Sequence, residues 1–360
     1  MNDRLLKKLL KRKSAGTFRS LNIPNQGIDF FSNDYLGLAK VTIRNNELNY
    51  NGSTGSRLLS GNSSIAEECE SILASHFDAA SALVFGSGYV ANLGLLSAVL
   101  QRGDLVFYDQ YVHASSRDGI RLSLAGSVSF KHNDVLDLEN KLSQSKSDVN
   151  YVLIESLYSM DGDLAPLKEI ALLCAEYDAY LIVDEAHACG VYGEMGKGLC
   201  YKHNLLSKVF ARIVTFGKAY GSHGAVILGS ESLKEYLVNF SRSFIYSTAL
   251  PPSNYKDISQ LIKQKELDVL RSNLQSNISY FRGLCESLSF SSDATSPIQI
   301  LEYANPAELE EVVCRLKEHS IYTRGIYPPT VPEGKSRLRL CFHSFNTRDE
   351  MEVLARCLQQ

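Results

Sequence analysis

The feature that most constrains this fold is an alternation of short apolar runs and amphipathic helical patterns between residues 60 and 230. Two of the intervening segments, SSIAEECESILASHF and APLKEIALLCAEYDA, carry apolar residues three and four positions apart, which predicts helices. Runs that are apolar throughout and separated by amphipathic helices predict a mostly parallel sheet covered by helices on both faces. The runs are SALVFGSG, DLVFYD, SVSF, NYVLIES, AYLIVDEAH and ARIVTFGKA.

The pattern changes after about residue 240. The helical segments NPAELEEVVCRLKEHS and NTRDEMEVLARCLQ flank a short strand, SRLRLCF, with Asn305 capping the first helix and Asn346 or Thr347 the second. This arrangement predicts a smaller α+β domain, reached through a long helical connection over 240–285. A chain of 360 residues is long enough for two domains. The predicted units are an N-terminal helix and arm (1–45), a large α/β domain (46–240), and a connecting helix with the small domain (241–360).

Charge and hydropathy exclude several classes of protein. The net charge of −3 gives no indication of nucleic-acid binding. No apolar run approaches the roughly 18 residues that a membrane-spanning helix needs. The basic N-terminus, MNDRLLKKLLKRK, lacks the apolar core of a signal peptide. Its four leucines predict an amphipathic helix packed on the protein or on a partner subunit, with attachment to a membrane surface as the alternative.

The cysteines indicate a reducing compartment. None of the eight forms a C-x-x-C pair, so no zinc site is expected. Cys174 and Cys314 are predicted to lie on the apolar faces of helices as buried thiols. These features, with no recognisable signal peptide, favour a cytoplasmic protein that binds no metal.

Five of the predicted strands are followed by polar or ionisable residues. Because ligands of open parallel sheets bind beyond the carboxyl ends of the strands, these residues are expected to converge at one edge. In chain order they are Gly86-Ser87-Gly88-Tyr89, His113, Glu155 and Ser159, Asp184 and His187, and Thr215 and Lys218.

The types of these residues indicate a specific chemistry. The turn at Gly88 opens an apolar helix, whose N-terminus favours a phosphate. Asp184 ends a buried strand, where a carboxylate needs a cationic partner. Lys218, among small residues in TFGKAYGSHGA, has a lowered pKa in a desolvated pocket and can form a Schiff base. Together they describe a pyridoxal 5′-phosphate (PLP) site, with His113 either stacked on the ring or acting only as a helix cap.

Long, ordered motifs along nearly the whole chain resemble the α-oxoamine synthases, PLP enzymes of fold type I. That family joins an amino acid to an acyl thioester with loss of carbon dioxide. The resemblance is closest to members that condense L-alanine with a pimeloyl thioester, carried by CoA or an acyl carrier protein, in biotin biosynthesis. The motifs are FFSNDYLGLA, GSTGSRLLSG, GSGYVANLGLL, DQYVHASSRDGI, ESLYSMDGDLAPL, LIVDEAHACGVYGEMGKGL, TFGKAYGSHGA, IYSTALPP and PPTVPEGKSRLRL.

The resemblance implies roles for the cofactor site. Lys218 is expected to bind PLP covalently and to transfer protons, Asp184 to pair with the ring nitrogen, and His113 to stack on the ring. His187 is expected to bind the phenolic oxygen of the ring. The other residues expected near the cofactor are Gly88, Tyr89, Ser159 and Thr215, with Thr248 reaching the phosphate of a partner subunit in a homodimer.

The resemblance also implies a substrate site. Asn33 and Arg339 are expected to bind the amino acid carboxylate, and Arg19 and Thr330 the acyl substrate, which His113 also contacts. Arg337 is expected on the opposite face of its strand, outside the site. Asp161 in SMDGD is expected to be a turn residue rather than a catalytic acid.

Two positions depart from the pattern of the alanine-using members. Tyr327 stands where they commonly have arginine, and Asn346 where histidine is frequent. The first departure weakens the assignment of the acyl group but not that of the PLP chemistry.

Three other functions are alternatives to this one, and the last two are disfavoured. A glycine C-acetyltransferase, or another α-oxoamine synthase with a different acyl thioester, would share the PLP site. A nicotinamide dehydrogenase would use GSGYVANLGLL as a dinucleotide turn, but Gly94 is out of phase and no ribose-binding acid follows at about 20 residues. A non-catalytic scaffold would not need Lys218 and Asp184.

Overall fold

The computed structural model describes residues 3–14, 18, 19, 21, 27–41, 51–328 and 331–360. The α-helices of these residues are α1 Asp3–Ser14, α2 Ser64–His76, α3 Gly88–Val99, α4 Ala114–Leu122, α5 Val135–Leu142, α6 Leu167–Glu176, α7 Leu199–Lys202, α8 Glu231–Phe240, α9 Arg242–Ile245, α10 Pro252–Ile262, α11 Leu267–Leu284, α12 Pro306–Glu318 and α13 Arg348–Gln359. The strands are β1 Ile28–Asp29, β2 Ser81–Phe85, β3 Leu105–Asp109, β4 Gly126–Phe130, β5 Asn150–Glu155, β6 Ala179–Asp184, β7 Val209–Thr215, β8 Ala225–Gly229, β9 Ile298–Tyr303, β10 Ile321–Tyr322, β11 Arg324–Ile326 and β12 Ser336–Cys341.

A seven-stranded sheet in the order β2-β8-β7-β6-β5-β3-β4 forms the centre of the molecule. The strands β7, β6, β5, β3 and β4 are parallel to one another, whereas β8 is antiparallel to both β2 and β7. The predicted mostly parallel sheet is therefore confirmed. The sequence reading did not include β8, which follows the glycine-containing loop after Lys218 and returns beside β7.

Helices cover both faces of this sheet, as predicted. Successive residues of β5 point to opposite faces: Val152 and Ile154 belong to one buried cluster, with Ile170 of α6, and Leu153 belongs to another, with Leu95 of α3. Each such side chain contributes roughly 1.5–3 kcal/mol through burial. This packing fixes the carboxyl ends of the strands, where the polar residues lie.

A three-stranded antiparallel sheet, β11-β12-β9, forms a second layer with α12 and α13. The segment 27–41 joins this layer: β1 pairs in parallel with β10, and the Phe30 carbonyl accepts a hydrogen bond from the Cys341 amide at 2.8 Å. The Ser344 amide donates to the Tyr35 carbonyl at 2.9 Å. These contacts place residues 33–35 beside the end of β12.

The helix caps agree with the sequence patterns, but the predicted long connection is divided. Asn305 accepts from the Ala307 amide, and Thr347, rather than Asn346, forms a capping box with Glu350. Residues 240–285 contain three helices, α9, α10 and α11, with Pro251 at the start of α10. The predicted domain boundaries stay a prediction.

The helix α1 is present, but its leucines are 43–59 % exposed, so they do not pack on the described part of this chain. Their packing on a partner subunit or a membrane surface stays a prediction. One surface expectation is wrong. Cys314 is exposed, because the buried face of α12 is formed by Leu309, Val312 and Leu316. The other cysteines are buried, and all eight are free thiols. The described residues contain no helix that could span a membrane and no cluster suited to a metal ion.

Candidate active site

Lys218 lies in the loop after β7, partly buried among the carboxyl ends of the strands. Its Nζ is 2.7 Å from Nε2 of His187, and no carboxylate of the described chain forms an ion pair with it. Burial lowers the pKa of Lys218 to about 8, although the negative charges of Asp184 and Glu155 oppose the shift. Near neutral pH this amine therefore reaches its nucleophilic form more readily than an exposed lysine.

The glycine after Lys218 that matters most is Gly221, which has a φ of +55°. A Cβ at this position would lie 2.2 Å from the amide nitrogen of Ala39. The absence of a side chain therefore lets the lysine loop pack against the backbone of residues 38–39. This contact brings the loop towards the segment that carries Asn33 and Tyr35.

Asp184 ends β6 and is 5 % exposed. Its Oδ2 accepts from Asn92 Nδ2 at 2.7 Å, and its Oδ1 accepts from the Ala186 amide at 2.9 Å. The cationic partner predicted for this carboxylate is not a side chain of the described residues, since its side-chain partner is a neutral amide. A buried carboxylate with no cation of its own suits a protonated ring nitrogen of a cofactor.

Glu155 is a second buried carboxylate, aligned with Asp184 across β5 and β6. It accepts a hydrogen bond of 2.6 Å from the His113 backbone amide. Burial, reinforced by the negative charge of Asp184, raises the pKa of Glu155 to about 8. Sequence reasoning placed Glu155 at this edge but gave it no role in the site.

His113 caps α4, which is the simpler of its two predicted roles. The Ser115 amide donates to its Nδ1 at 3.2 Å, so the neutral ring carries its hydrogen on Nε2. Desolvation lowers the pKa of His113, with Lys218 adding to the shift, and this favours the neutral form. His113 is exposed as a whole residue, and its stacking on a cofactor stays a prediction.

The predicted phosphate site lies at the N-terminus of α3. Ser87 caps this helix by accepting from the Val90 amide at 3.3 Å, and Gly88 is its first residue. Amides in the first turn of a helix have no acceptor within the helix and can bind an anion. A Cβ on Gly88 would stand 3.6 Å from Thr215 Oγ1, so the end of β7 borders this turn. The exposed Tyr89 donates its hydroxyl hydrogen to Asp118.

Arg339 in β12 is 7 % exposed and forms no ion pair with a carboxylate of the described chain. Its Nε donates to the Ser159 carbonyl at 2.7 Å, one terminal nitrogen donates to Asn33 Oδ1 at 2.9 Å, and the other contacts Cys341 Sγ at 2.8 Å. A buried guanidinium whose partners are uncharged is suited to bind an anion such as a carboxylate. The predicted pair of Asn33 and Arg339 is therefore brought together.

The expectation for Arg337 is wrong. Residues two apart on a strand share a face, and Arg337 extends from the same face as Arg339 to the same loop. It pairs with Asp161 and donates to the Met160 carbonyl at 3.2 Å. Arg337 is nevertheless distinct from Arg339, because its charge is already compensated. Asp161 is a loop residue engaged in an ion pair, which agrees with its predicted non-catalytic role.

A second charged cluster, besides the Arg337–Asp161 pair, binds the loop that contains Asp161. His132 Nδ1 lies 3.0 Å from Asp109 Oδ1, and its Nε2 lies 2.7 Å from Asp163 Oδ2. Burial alone would lower the pKa of His132, but the two carboxylates raise it to about 10. A charged imidazolium therefore fixes the loop that contains Ser159, whose carbonyl receives the Arg339 hydrogen bond.

The remaining predicted positions have different outcomes. Thr248 is exposed between α9 and α10 and lines a cavity with Gly86, beside the phosphate turn. Arg19 is exposed, and no described contact connects it to the site. Thr330 lies outside the described residues. Of the two departures, Tyr327 donates its hydroxyl hydrogen to Glu310 at 2.7 Å, and the Asn346 side chain accepts from the His343 amide at 2.8 Å.

Sequence reasoning missed two other residues of the site. Asn92 donates to both Asp184 and Ser115. The sequence feature that could have identified it is a polar residue on the buried side of a mainly apolar helix. Tyr35 is fully buried, and its hydroxyl lies 2.7 Å from His187 Nδ1. No periodicity marks Tyr35, because its position depends on a contact between residues far apart in the sequence.

Comparison with known proteins identifies the family. The family model for aminotransferase class I and II matches residues 25–358. The chain belongs to this family. It is 37 % identical to an 8-amino-7-oxononanoate synthase from Emericella nidulans, over 98 % of this chain and 94 % of that protein.

Solved structures agree with this assignment. A serine palmitoyltransferase from S. paucimobilis with a bound PLP–myriocin aldimine is 25 % identical, with a TM-score of 0.88 over 99 % of this chain and 96 % of that one. An 8-amino-7-oxononanoate synthase from Francisella tularensis is 29 % identical, with a TM-score of 0.78 over 92 % and 97 %. The fold is that of the fold-type-I PLP enzymes, and the cofactor is PLP.

Proposed function

We propose that the protein condenses L-alanine with a pimeloyl thioester to give 8-amino-7-oxononanoate, carbon dioxide and a free thiol in biotin biosynthesis. The observation that carries this proposal is the position of Arg339, a buried and uncompensated guanidinium, in one site with the Lys218 amine. The Lys218 amine is the group that would attach PLP, and the Arg339 guanidinium is the group that would bind the carboxylate of an amino acid. The similarity to 8-amino-7-oxononanoate synthases supports the choice of substrates.

The residues present fit the cofactor. Lys218 would bind it covalently, Asp184 would accept from its ring nitrogen, and His113 would stack on its ring. His187 would bind the phenolic oxygen, and the remaining contacts would come from Gly88, Tyr89, Ser159 and Thr215. Thr248 would reach the phosphate of a partner subunit, so the active unit we propose is a homodimer.

When bound, PLP supplies an electron sink for a carbanion at the α-carbon of the substrate. Arg339 and Asn33 bind and orient the alanine carboxylate. The Lys218 amine takes the α-proton at Nζ, a role favoured by its lowered pKa. Nε2–H of His113 donates to the carbonyl oxygen of the thioester and stabilises the charge that develops there.

The overall reaction balances with these residues and one proton from solvent. A carbon–carbon bond forms between the alanine α-carbon and the acyl carbon, and the carbon–sulfur bond breaks with its electron pair on sulfur. The departing thiolate takes a proton from solvent and leaves as the free thiol. The original carboxylate leaves as carbon dioxide, and its bonding electron pair stays with the α-carbon. Lys218 returns a proton to that carbon. The eight reduced thiols agree with the cytoplasm as the site of this reaction.

The attachment of PLP to Lys218 tests the proposal. Treatment of the wild-type holoenzyme with borohydride should link PLP irreversibly to the peptide that contains Lys218, as mass spectrometry would show. Lys218→Ala should lose both the link and turnover. The exposed Lys208→Ala is the control and should retain both. Turnover by Lys218→Ala at the wild-type rate would disprove the assignment.

A further inference from the structure

A chain of hydrogen bonds runs across the site from Lys218 to Arg339. Lys218 Nζ is 2.7 Å from His187 Nε2, and His187 Nδ1 is 2.7 Å from the Tyr35 hydroxyl. The Tyr35 hydroxyl donates to Asn33 Oδ1 at 3.2 Å, and Arg339 donates to the same oxygen at 2.9 Å. One fully buried phenol therefore connects the imidazole on the cofactor side with the pair proposed to bind the carboxylate.

The direction of each hydrogen bond follows from the groups present. In the cofactor-free chain, where Lys218 has a free amine, a protonated Lys218 can only donate, so Nε2 of His187 accepts and Nδ1–H donates to the Tyr35 oxygen. The Tyr35 hydrogen is then free to bind Asn33 Oδ1. Desolvation lowers the pKa of His187 well below its usual value and raises that of Tyr35, which keeps the imidazole neutral and the phenol protonated. Every group in the chain has a matching partner.

Tyr35 has one hydroxyl hydrogen and two neighbours that can accept it. With the His187 hydrogen on Nδ1, the Tyr35 hydrogen goes to Asn33. If a ligand draws the His187 hydrogen to Nε2, then Nδ1 becomes an acceptor and competes for the Tyr35 hydrogen. The position of the hydrogen on His187 therefore determines whether Tyr35 donates to Asn33 Oδ1, the oxygen that also accepts from Arg339.

We propose that Tyr35 is a positioning residue that couples His187, on the cofactor side, to Asn33 and Arg339, on the carboxylate side. This inference rests on the proposed function, because it assumes that Arg339 and Asn33 bind the amino acid. Tyr35 touches neither reacting atoms nor solvent. Its effect passes through the orientation of its neighbours.

Tyr35→Phe tests the inference, since it removes only the hydroxyl and preserves the buried ring. In the holoenzyme, the Kd for L-alanine, measured from the change in cofactor absorbance, should rise about tenfold, or about 1.4 kcal/mol. The pH titration midpoint of the cofactor absorbance should shift in the same variant, because His187 has lost a partner. The KM for the acyl thioester should change less than twofold.

Tyr192→Phe is the matched control. Tyr192 is also buried, but its hydroxyl binds Thr295 at 3.3 Å. This variant should leave the alanine Kd and the absorbance titration at wild-type values. Equal cofactor absorbance per protomer in all three proteins would show that folding and loading are intact.

The possible failures are distinguishable. If the wild-type holoenzyme responds to alanine and Tyr35→Phe matches it in both Kd and titration midpoint, the inference is wrong and the proposed function stands. A change in only one of these two quantities would also contradict the coupling. If no amino acid alters the wild-type spectrum, the proposed function fails and the inference fails with it.

Discussion

The two arginines of β12 offer a sharp test of substrate binding, because they share a strand and a face but differ in their partners. Arg337 is neutralised by Asp161, whereas Arg339 contacts only uncharged groups. Replacing each with lysine retains the positive charge and removes the planar fork. We expect Arg339→Lys to weaken alanine binding severely and Arg337→Lys to change it little.

The structure gives the magnitude. A guanidinium has five N–H groups, and the bonds of Arg339 to Ser159, Asn33 and Cys341 account for three. Two remain, one on each terminal nitrogen, which is enough to hold a carboxylate through both oxygens. Lysine can keep one such bond but not two. The loss of one charge-assisted hydrogen bond costs about 1.5–3 kcal/mol, or roughly 10- to 150-fold in the alanine Kd.

The assay is the change in cofactor absorbance with increasing L-alanine, combined with steady-state thiol release at varied thioester. Arg339→Lys should raise the Kd and KM for alanine within that range and leave the KM for the thioester near wild type. Arg337→Lys should stay within about threefold for all three constants. Equal losses in the two variants, or an unchanged alanine Kd in Arg339→Lys, would refute the assigned role of Arg339.

Three further outcomes are expected. PLP uptake by the apoprotein should quicken as the pH rises towards 8, where Lys218 loses its proton; an uptake rate independent of pH would count against the lowered pKa of this lysine. Asn92→Ala should weaken PLP binding about fivefold in a fluorescence titration, since Asp184 loses a hydrogen bond of about 1 kcal/mol; unaltered affinity would contradict this role. The pKa of His132 is about 10 in the fold and about 6.5 unfolded, so its stabilisation is complete below pH 6.5 and disappears by pH 10. His132→Gln should therefore unfold at lower urea than wild type at pH 6, with a gap that narrows towards pH 10, and a constant gap would argue against the charged imidazolium.

The main sheet and the cofactor edge were predictable because they depend on local patterns. Apolar strands, amphipathic helices and the polar residue after each strand can be recognised within a few residues of one another. Lys218, Asp184 and Gly88 follow strand ends that the topology must bring to one edge. The antiparallel strand β8 was not predicted, because a short apolar run after a loop does not show in which direction the chain returns to the sheet.

The residues of the substrate site were harder to predict from the sequence, since that site depends on contacts between distant parts of the chain. The resemblance to a family indicated Asn33 and Arg339, which lie 306 positions apart. Tyr35 and Asn92 carry no local signal for their partners. The error over Arg337 has a different origin. Residues two apart on a strand lie on the same face, so there was no reason in the sequence itself to place Arg337 opposite Arg339. Whether such an arginine enters a site depends on its partner, and Asp161 becomes that partner only in the folded chain.

Thiol release by the PLP-loaded protein tests the central claim most directly. L-alanine, glycine and L-serine would each be combined with pimeloyl-CoA, pimeloyl-acyl carrier protein and acetyl-CoA, with Lys218→Ala as the blank. We predict release with alanine and a pimeloyl thioester, accompanied by carbon dioxide and 8-amino-7-oxononanoate in equal amounts. Preferred release with glycine and acetyl-CoA, or no release above the blank in any combination, would contradict it.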